Sequence, residues 1–358
     1  MPRFLLFCRP GFEKDCASEA NDRFAQAGWS GRTHTFDPHG LVGFEGEFYD
    51  EAHRGPKPVP KLSELVFTRQ ILEGAALVKD LSAQDRAGPI AAAFLETVPG
   101  RSYRALVLEH PDTNEGRALA PFCKKFTPAM NNALRRAGFQ FEPQNPAAPA
   151  LHVILLSYEK IYVAHNRGAK GQWKGGIPRL KFPEDAPSRS TLKLEEAFLA
   201  LMSENERTHL LKEGGMAVDL GASPGGWTYQ LLQKGYYVTA VDHGKMDEPL
   251  LASGMVDHRE EDAYKYKPRQ AIDLLVCDMV DKPQKVASLM GKWFQQKQCR
   301  WAIFNLKLPM KKRFEEWEIC RDIFWKESQL SPEQFDLRAK HLYHNRDEIT
   351  LLVKPKRA

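Results

Sequence analysis

Two lysines and two carboxylates occupy positions from which they could activate a hydroxyl group. Asp278 follows the apolar run IDLLVC, Lys307 follows the run AIFNL, and Glu348 begins the last apolar segment. Lys193 stands third in a helix predicted to begin after Ser190, where Glu or Gln is usual and a cation opposes the helix macrodipole. Such an exception at a helix start indicates a functional lysine.

These four residues have the chemistry that deprotonation of a hydroxyl requires. A hydroxyl is a poor nucleophile, so a base must take its proton as the new bond forms. A lysine can be that base if a neighbouring cation and partial burial lower its pKa. We predict that Lys307 is the base and that Lys193 lowers its pKa and holds the hydroxyl. Asp278 and Glu348 are predicted to orient the two amines.

The segment DLGASPGGW, residues 219–227, indicates the group that the hydroxyl would attack. It resembles a dinucleotide-binding loop but lacks the G-x-G-x-x-G spacing. Its glycines permit a tight turn and close approach of a ligand, whereas Pro224 removes a backbone donor that a pyrophosphate would use. The loop favours a ligand without phosphates. S-adenosylmethionine, a sulfonium with one carboxylate, is such a ligand, and methyl transfer to a ribose hydroxyl is the reaction favoured.

Two further carboxylates follow predicted strands. Asp242 ends the second strand of the predicted sheet, where it could accept hydrogen bonds from ribose hydroxyls. Asp262 follows the third strand, where an adenine amino group could be bound. Both contacts suit either NAD or S-adenosylmethionine, so the choice of cofactor depends on the loop.

From residue 189 the chain alternates between helices and strands, as in a doubly wound sheet. Strands are predicted at 217–220, 237–241, 272–277 and 301–306, and helices at 191–202, 286–295 and 314–326. Ser203-x-x-Glu206 is a capping box that predicts one more helix, ended by Gly214-Gly215.

The end of the chain is predicted to form an antiparallel hairpin added to the parallel sheet. Its strands are 335–343 and 348–354, joined by a turn at 344–347. An antiparallel last strand begins at the edge where the parallel strands end. Asp278, Lys307 and Glu348 are therefore predicted to meet at one edge.

The first part of the chain is predicted to hold two small α+β units, at 1–54 and 55–165. The predicted strands are 4–8, 33–36, 41–48, 65–72 and 104–108, followed by a hairpin of 151–157 and 160–165. The predicted helices are 13–27, 90–97 and 121–137. Neither unit contains a catalytic constellation; Lys124, Lys125, Arg135 and Arg136 are their best candidates for RNA contact.

A basic, glycine- and proline-rich connector at 166–188 separates these units from the domain at 189–358. Between 160 and 193 it and its flanks carry eight cations: Lys160, Arg167, Lys170, Lys174, Arg179, Lys181, Arg189 and Lys193. Its glycines are 168, 171, 175 and 176, and we predict an extended segment. Such a segment suits phosphate binding, with Trp173 available to stack on a base.

Composition is that of an ordinary globular protein: 358 residues, 42% hydrophobic and 27% charged, with a formal net charge of +5. The apolar runs are too short to span a bilayer or to act as a secretory signal, so we predict a cytoplasmic protein without a membrane partner. Six scattered cysteines without a C-x-x-C pair predict core thiols in a reducing compartment, and no metal site.

The series Lys193, Asp278, Lys307, Glu348 resembles the K-D-K-E tetrad of the ribose 2′-O-methyltransferases related to the FtsJ heat-shock methylase. The stretches SRSTLKLEEAF, DLGASPGGWTYQL, VCDMV and FNLKLPMKKR carry this resemblance, which spans residues 165–358. The first 165 residues are similar in layout to a ferredoxin-like unit followed by a THUMP domain, an RNA-binding module of RNA-modifying enzymes.

The resemblance implies S-adenosylmethionine as donor, a cytidine of 23S ribosomal RNA near the peptidyl transferase centre as acceptor, and Lys307 as proton acceptor. No obligate protein partner is inferred. The predicted catalytic residues are Lys193, Asp278, Lys307 and Glu348. The predicted donor-binding residues are Ser190, Gly221, Ser223, Pro224, Gly225, Gly226, Trp227, Asp242, Asp262 and Asp278.

Three other functions fit these residues less well. A non-catalytic RNA-binding assembly factor on the same fold would have no need of four filled tetrad positions. An NAD-dependent oxidoreductase needs the glycine spacing that is missing. Cytosine C5 methylation would need a cysteine nucleophile, but strand alternation turns Cys277 away from Asp278 and into the core.

Overall fold

The computed structural model describes residues 3–36, 40–49, 55, 57–167 and 173–356; Gly168, Lys170 and Gly171 of the connector lie outside the described residues. The chain separates into two units, Met1–Pro178 and Arg179–Ala358. Among the described residues, no helix is long and apolar enough to cross a membrane. All six cysteines are buried free thiols, as predicted.

The strands of the first unit form one main sheet with helices packed on it. Its elements are β1 (Arg3–Phe7), α1 (Glu13–Gln26), β2 (Trp29–Thr35), β3 (Leu41–Phe48), β4 (Gln70–Val78), α2 (Ala87–Thr97), β5 (Ser102–Tyr103), β6 (Ala105–Glu109), α3 (Asn114–Ala118), α4 (Ala120–Arg136), β7 (Gln140–Phe141), β8 (Ala150–Leu155) and β9 (Ile161–His165). The order in the main sheet is β2-β3-β1-β4-β9-β8-β6, with β5 and β7 paired separately. Because β1 pairs with β4, this sheet runs across the predicted boundary at 54 and 55.

The strand predicted at 65–72 is wrong in its position, since β4 spans Gln70–Val78. Residues 65–67 are apolar and buried, which is why they read as a strand. Their amides have another partner: the buried Glu19 carboxylate of α1 accepts hydrogen bonds from the backbone N–H groups of Val66 and Phe67. A side chain from a distant helix thus takes the place of a strand ladder.

The connector was predicted to be extended, but it contains a 3-10 turn at Lys174–Gly176. The Glu109 carboxylate accepts a hydrogen bond of 2.8 Å from the Gly175 amide. Gly176 has a φ of +67°, and a Cβ there would lie 2.3 Å from the Arg69 carbonyl oxygen. This turn of the connector is therefore held against the first unit, next to Glu109 and Arg69.

The second unit is a doubly wound sheet with an antiparallel hairpin at its end. Its elements are α5 (Thr191–Leu201), α6 (Glu204–Leu210), β10 (Met216–Leu220), α7 (Gly226–Gln233), β11 (Tyr237–Val241), α8 (Glu248–Ala252), β12 (Val256–Arg259), β13 (Ile272–Cys277), α9 (Pro283–Gln295), β14 (Cys299–Lys307), α10 (Arg313–Ser328), β15 (Phe335–Lys340) and β16 (Glu348–Pro355). The order is β12-β11-β10-β13-β14-β16-β15. Strands β10 to β14 are parallel, and β16 is antiparallel to both neighbours. The predicted fold class is confirmed.

The boundaries of two predicted elements differ from the structure. Helix α6 begins at the predicted capping box but ends at Leu210, well before Gly214. Strand β15 ends at Lys340, so that residues 341–347 form a loop where a four-residue turn was predicted. The buried Glu196 carboxylate of α5 binds this loop: it accepts from the amides of Tyr343 and His344 at 2.8 and 2.9 Å.

Candidate active site

The four predicted catalytic residues form one cluster in the second unit. Lys307 Nζ lies 2.6 Å from Asp278 Oδ1, and Lys193 Nζ lies 3.1 Å from Asp278 Oδ2. Glu348 Oε1 is 2.6 Å from Lys193 Nζ and 3.8 Å from Lys307 Nζ. Each carboxylate therefore contacts both lysines, so that the four side chains form a closed square of alternating charge.

Strand register brings three of the four together. Asp278 directly follows β13, and Lys307 ends the neighbouring parallel strand β14. Glu348 begins β16 and is the direct cross-strand partner of Lys307. The fourth residue, Lys193, lies in the first turn of α5, whose helix packs against the same hairpin. The predicted convergence at one edge of the sheet thus has its basis in the antiparallel direction of β16.

The electrostatics of the cluster assign different states to its members. Burial opposes the charge of Lys193, but Asp278 and Glu348 outweigh it and raise the Lys193 pKa above its usual value. Burial likewise opposes ionisation of Asp278, yet the Lys307 and Lys193 ammonium groups hold its pKa below the usual range. Lys193 is therefore a fixed cation. The two carboxylates also offset the cost of placing it in the first turn of a helix.

The site remains open to a substrate. The side chains of Lys193 and Lys307 are 16% and 22% exposed, whereas Glu348 is 6% exposed. Asp278 is 14% exposed, so three of the four side chains are partly accessible to a substrate.

Three polar residues that the sequence reading missed lie behind the tetrad. Asn305 Nδ2 donates to Asp278 Oδ1 at 2.8 Å, and Thr350 Oγ1 donates to Asn305 Oδ1 at 2.6 Å. Asn345 Nδ2 donates to Thr350 Oγ1 at 3.0 Å. A single polar residue inside the run AIFNLK was the only signal available in the sequence.

The donor loop connects β10 to α7 and packs on the start of α5. Gly221 has a φ of +78°, and a Cβ at Gly226 would lie 2.1 Å from Ser190 Oγ. Ser190 Oγ in turn lies 2.6 Å from Ser188 Oγ and caps no helix amide. The predicted donor-binding residues Ser190 and Gly226 are thus in direct contact, one turn before Lys193.

Residues that follow β11 hold other members of the donor loop through hydrogen bonds. Ser223 Oγ donates to the Lys245 carbonyl at 2.8 Å, and the Pro224 carbonyl accepts from the Asp247 amide at 3.0 Å. Gly225 has a φ of +117° immediately before α7. The side chain of Trp227 is buried in the core with Leu194, so a ligand could reach only its backbone.

Asp242 and Asp262 lie at neighbouring strand ends with different exposure. Asp242 accepts from the amides of Ser223 and Gly244 at 3.1 and 2.7 Å and retains lone pairs for a further donor. Asp262 is 42% exposed and accepts from the Tyr264 amide at 2.9 Å. Tyr264, which the sequence reading missed, donates through its hydroxyl to Asp281, three residues after Asp278.

The residues around the loop fit a cationic ligand that carries hydroxyl groups. Asp219 Oδ1 is buried and has no hydrogen-bond partner within the described residues, although Thr228 donates to Oδ2 at 2.7 Å. Residues 219–227 contain no Lys or Arg, and the Asp242 carboxylate supplies negative charge beside them. A pyrophosphate would be repelled here, whereas a sulfonium and an ammonium group would be attracted.

Cys277 is unsuited to nucleophilic catalysis in this site. Its side chain is fully buried, and burial raises the pKa of its thiol to about 12. A thiol is nucleophilic as the thiolate, which this residue does not form near pH 7. The predicted core role of Cys277 is confirmed.

Comparisons with known proteins cover the whole chain. A family model described as "RlmM ferredoxin-like domain" matches residues 1–72, "Ribosomal RNA large subunit methyltransferase M, N-terminal" matches 85–167, and "FtsJ-like methyltransferase" matches 186–321. The ribosomal RNA large subunit methyltransferase M of Haemophilus ducreyi is 44% identical over 99% of this chain and 98% of its own. That of Thauera aminoaromatica is 41% identical over 99% and 96%.

The chain belongs to the ribosomal RNA large subunit methyltransferase M family. Membership confirms the resemblance drawn from the sequence and the prediction of S-adenosylmethionine as cofactor. The chain is therefore an S-adenosylmethionine-dependent ribosomal RNA methyltransferase. Among solved structures, TrmN from Thermus thermophilus is similar at a TM-score of 0.37 and 15% identity over 99% of this chain and 100% of that one.

Proposed function

We propose that the chain methylates the ribose 2′-oxygen of a cytidine in 23S ribosomal RNA, with Lys307 as the base. The observation that carries the proposal is the square formed by Lys193, Asp278, Lys307 and Glu348. Two partly exposed amines, each held by two carboxylates, suit a hydroxyl substrate. The relatives' names supply the large ribosomal subunit, and the resemblance supplies the cytidine.

The two lysines have separate tasks in this proposal. Lys193 stays protonated because two carboxylates hold its charge, so it donates a hydrogen bond to the 2′-oxygen. Lys307, in its neutral form, takes the hydroxyl proton as the 2′-oxygen bonds to the methyl carbon and the carbon–sulfur bond breaks. Bound S-adenosylmethionine supplies the electrophilic methyl group. The charge that develops on oxygen is stabilised by Lys193 in a partly buried site.

The donor-binding residues keep their predicted roles within this proposal. Asp242 would accept from the ribose hydroxyls of the donor, and Asp262 from its adenine amino group. The glycines of the loop, together with Ser190, allow the donor backbone contacts next to Lys193. Asp219 Oδ1 would accept from an ammonium group at the loop.

Transfer of labelled methyl from S-adenosylmethionine to unmodified 23S RNA tests the reaction. A 2′-O-methyl group blocks alkaline cleavage at its own nucleotide, so we expect the label in one alkali-resistant dinucleotide. Label on a base would contradict ribose methylation. Absence of donor binding in calorimetry would instead support the non-catalytic alternative.

Lys307→Ala tests the base. We expect transfer to fall by about 10²-fold or more, since a positioned base supplies an acceleration of that order, while donor binding measured by calorimetry is retained. Lys292→Ala is the matched control, because Lys292 is an exposed lysine of α9 outside the cluster. Near-normal turnover by Lys307→Ala would exclude Lys307 as the base.

A further inference from the structure

A line of buried side chains runs from the loop at 341–347 to the tetrad and ends on Asp278. Its members are Asn345, Thr350 and Asn305, which are 1%, 0% and 0% exposed. Asn345 Nδ2 lies 3.0 Å from Thr350 Oγ1, and Thr350 Oγ1 lies 2.6 Å from Asn305 Oδ1. Asn305 Nδ2 lies 2.8 Å from Asp278 Oδ1. Burying three polar side chains is costly unless their hydrogen bonds are all made, and along this line they are.

The charge of Asp278 determines the direction of every bond in the line. An ionised carboxylate only accepts, so Asn305 must present its amide nitrogen to Asp278 and its amide oxygen to Thr350. Thr350 donates its one hydroxyl proton to the amide oxygen of Asn305, so it can only accept a hydrogen bond from Asn345. Donors therefore all point toward Asp278, and hydrogen bonds aligned in this way reinforce one another.

We propose that Asn305 and Thr350 are positioning residues for methyl transfer, which hold the Asp278 carboxylate in a single orientation. The proposal rests on the function proposed above. Lys307 lies against Oδ1 and Lys193 against Oδ2, so a rotated carboxylate would exchange or lose these partners. Asn305 bonds to Oδ1 only, and this third contact distinguishes the two oxygens.

The same loop also binds the helix that carries Lys193. Glu196 lies one turn after Lys193 on α5 and accepts from the amides of Tyr343 and His344, next to Asn345. His344 Nδ1 adds a contact of 2.7 Å to Glu196. The loop thus sets the positions of both groups that bind Asp278 from opposite sides: the Lys193 helix and the Asn345–Thr350–Asn305 line.

Thr350→Val tests the proposal because it keeps the shape of the side chain and removes the hydroxyl. The Asn305 amide then loses the donor that orients it, and its hydrogen bond to Asp278 weakens. We expect kcat to fall about tenfold, the size of effect that one bond to a charged group supports. KM values for RNA and S-adenosylmethionine should stay within about twofold.

The pH profile distinguishes positioning from a purely structural role. A hydrogen bond to the ionised form lowers the pKa of Asp278, so its loss raises that pKa, and the loss of kcat at acidic pH that follows protonation of Asp278 should begin at a higher pH. Thr350→Ser restores the hydroxyl and should restore both kcat and the profile. Asn345→Ala, which removes the farthest donor, should shift the profile in the same direction by less.

Thr239→Val is the matched control, a threonine-to-valine change in β11 of the same sheet. If Thr350→Val lowers the melting temperature but leaves kcat and the pH profile unchanged, the positioning role is overturned. Should Thr350→Val fail to fold, Asn345→Ala carries the test, and an unchanged kcat and pH profile in that folded variant would overturn the positioning role. Failure of the proposed function is a separate result, since it would appear as base methylation by the wild-type enzyme.

Discussion

At the scale of residues, two aspartates at neighbouring strand ends differ in their affinity for a proton. Asp278 binds two ammonium groups and an amide, and its pKa is lowered. Asp219 lies one residue before the end of the neighbouring strand β10 and is fully buried, where its carboxylate accepts from the Thr228 hydroxyl. Burial raises the pKa of Asp219 to about 7. The difference follows from position and partners, because Asp278 lies beyond the end of β13 beside two lysines, whereas Asp219 lies within β10 and is fully buried.

Asp219 should make the stability of the protein without cofactor depend on pH. Its pKa rises from 3.8 in the unfolded chain to about 7 in the folded protein. The stability that this group contributes is therefore fully present below about pH 4 and is lost as pH rises to about 7. Asp219→Asn keeps an oxygen for Thr228 and cannot ionise. We expect its melting temperature to equal that of wild type below about pH 4 and to exceed it by a margin that grows as pH rises to 7.5.

Asp322→Asn is the control for this change, because Asp322 is 69% exposed. Its melting curve should follow the wild-type curve at every pH. Parallel pH dependence of Asp219→Asn and wild type would show that Asp219 is ionised throughout this range.

At the scale of elements, one carboxylate joins the start of a helix to the last two strands. Glu206 accepts from the Ser203 amide at 2.7 Å and completes the predicted capping box of α6. It also accepts two hydrogen bonds from Arg338 of β15, at 2.8 and 2.9 Å, and lies 3.0 Å from Lys354 Nζ of β16. The hairpin of β15 and β16, which contains Glu348, is thereby fastened to α6, the helix that follows the one carrying Lys193.

Glu206→Gln should separate the capping role from the ionic one. A glutamine still completes a capping box but loses the charge that binds Arg338 and Lys354. We expect the free energy of unfolding in urea at pH 7 to fall by about 2 kcal/mol, a value reduced for partial exposure. Ser203→Ala should cost about 1 kcal/mol.

The pH dependence of this loss has a defined sign. Burial opposes ionisation of Glu206, but Arg338, the Ser203 amide and Lys354 lower its pKa to about 2. The ionic contribution is therefore present above about pH 4.5 and is lost as pH falls toward 2. The difference between wild type and Glu206→Gln should shrink at pH 3, and a constant difference would contradict the ionic explanation.

At the scale of the whole molecule, the charges best placed for RNA outside the catalytic unit lie on one helix of the first unit. Lys124, Lys125, Arg135 and Arg136 on α4 are all exposed. Cations that neutralise phosphates release counterions, so their contribution falls with salt and carries little sequence information. This helix therefore remains our predicted RNA contact of the first unit.

Lys124→Gln combined with Lys125→Gln should weaken RNA binding without changing donor binding. Each lost phosphate contact lowers the slope of log affinity against log salt by about 1, so the slope should fall by about 2. Lys292→Gln combined with Lys326→Gln removes the same charge from exposed sites of α9 and α10. Equal losses from both pairs in a filter-binding assay would mean that only net charge matters.

Much of the second unit could be predicted because its signals are local. The capping box at Ser203 and Glu206, the apolar runs of β10, β13 and β14, and the polar residue after each run require no knowledge of distant contacts. The strand predicted at 65–72 failed for the opposite reason. Its amides bind Glu19, which lies about fifty residues earlier, and no local pattern reports such a partner.

The sequence by itself determined which residues are the candidates for catalysis, since strand ends and one antiparallel hairpin are enough to bring Asp278, Lys307 and Glu348 to one edge. Tertiary structure alone decided the charge and the orientation of the side chains in this cluster. Lys193 is a fixed cation because two carboxylates from different strands reach it. Asp278 has one orientation because Asn305, Thr350 and Asn345 converge behind it. Charge and orientation depend on neighbours within a few ångströms, and in this chain those neighbours are far apart in sequence.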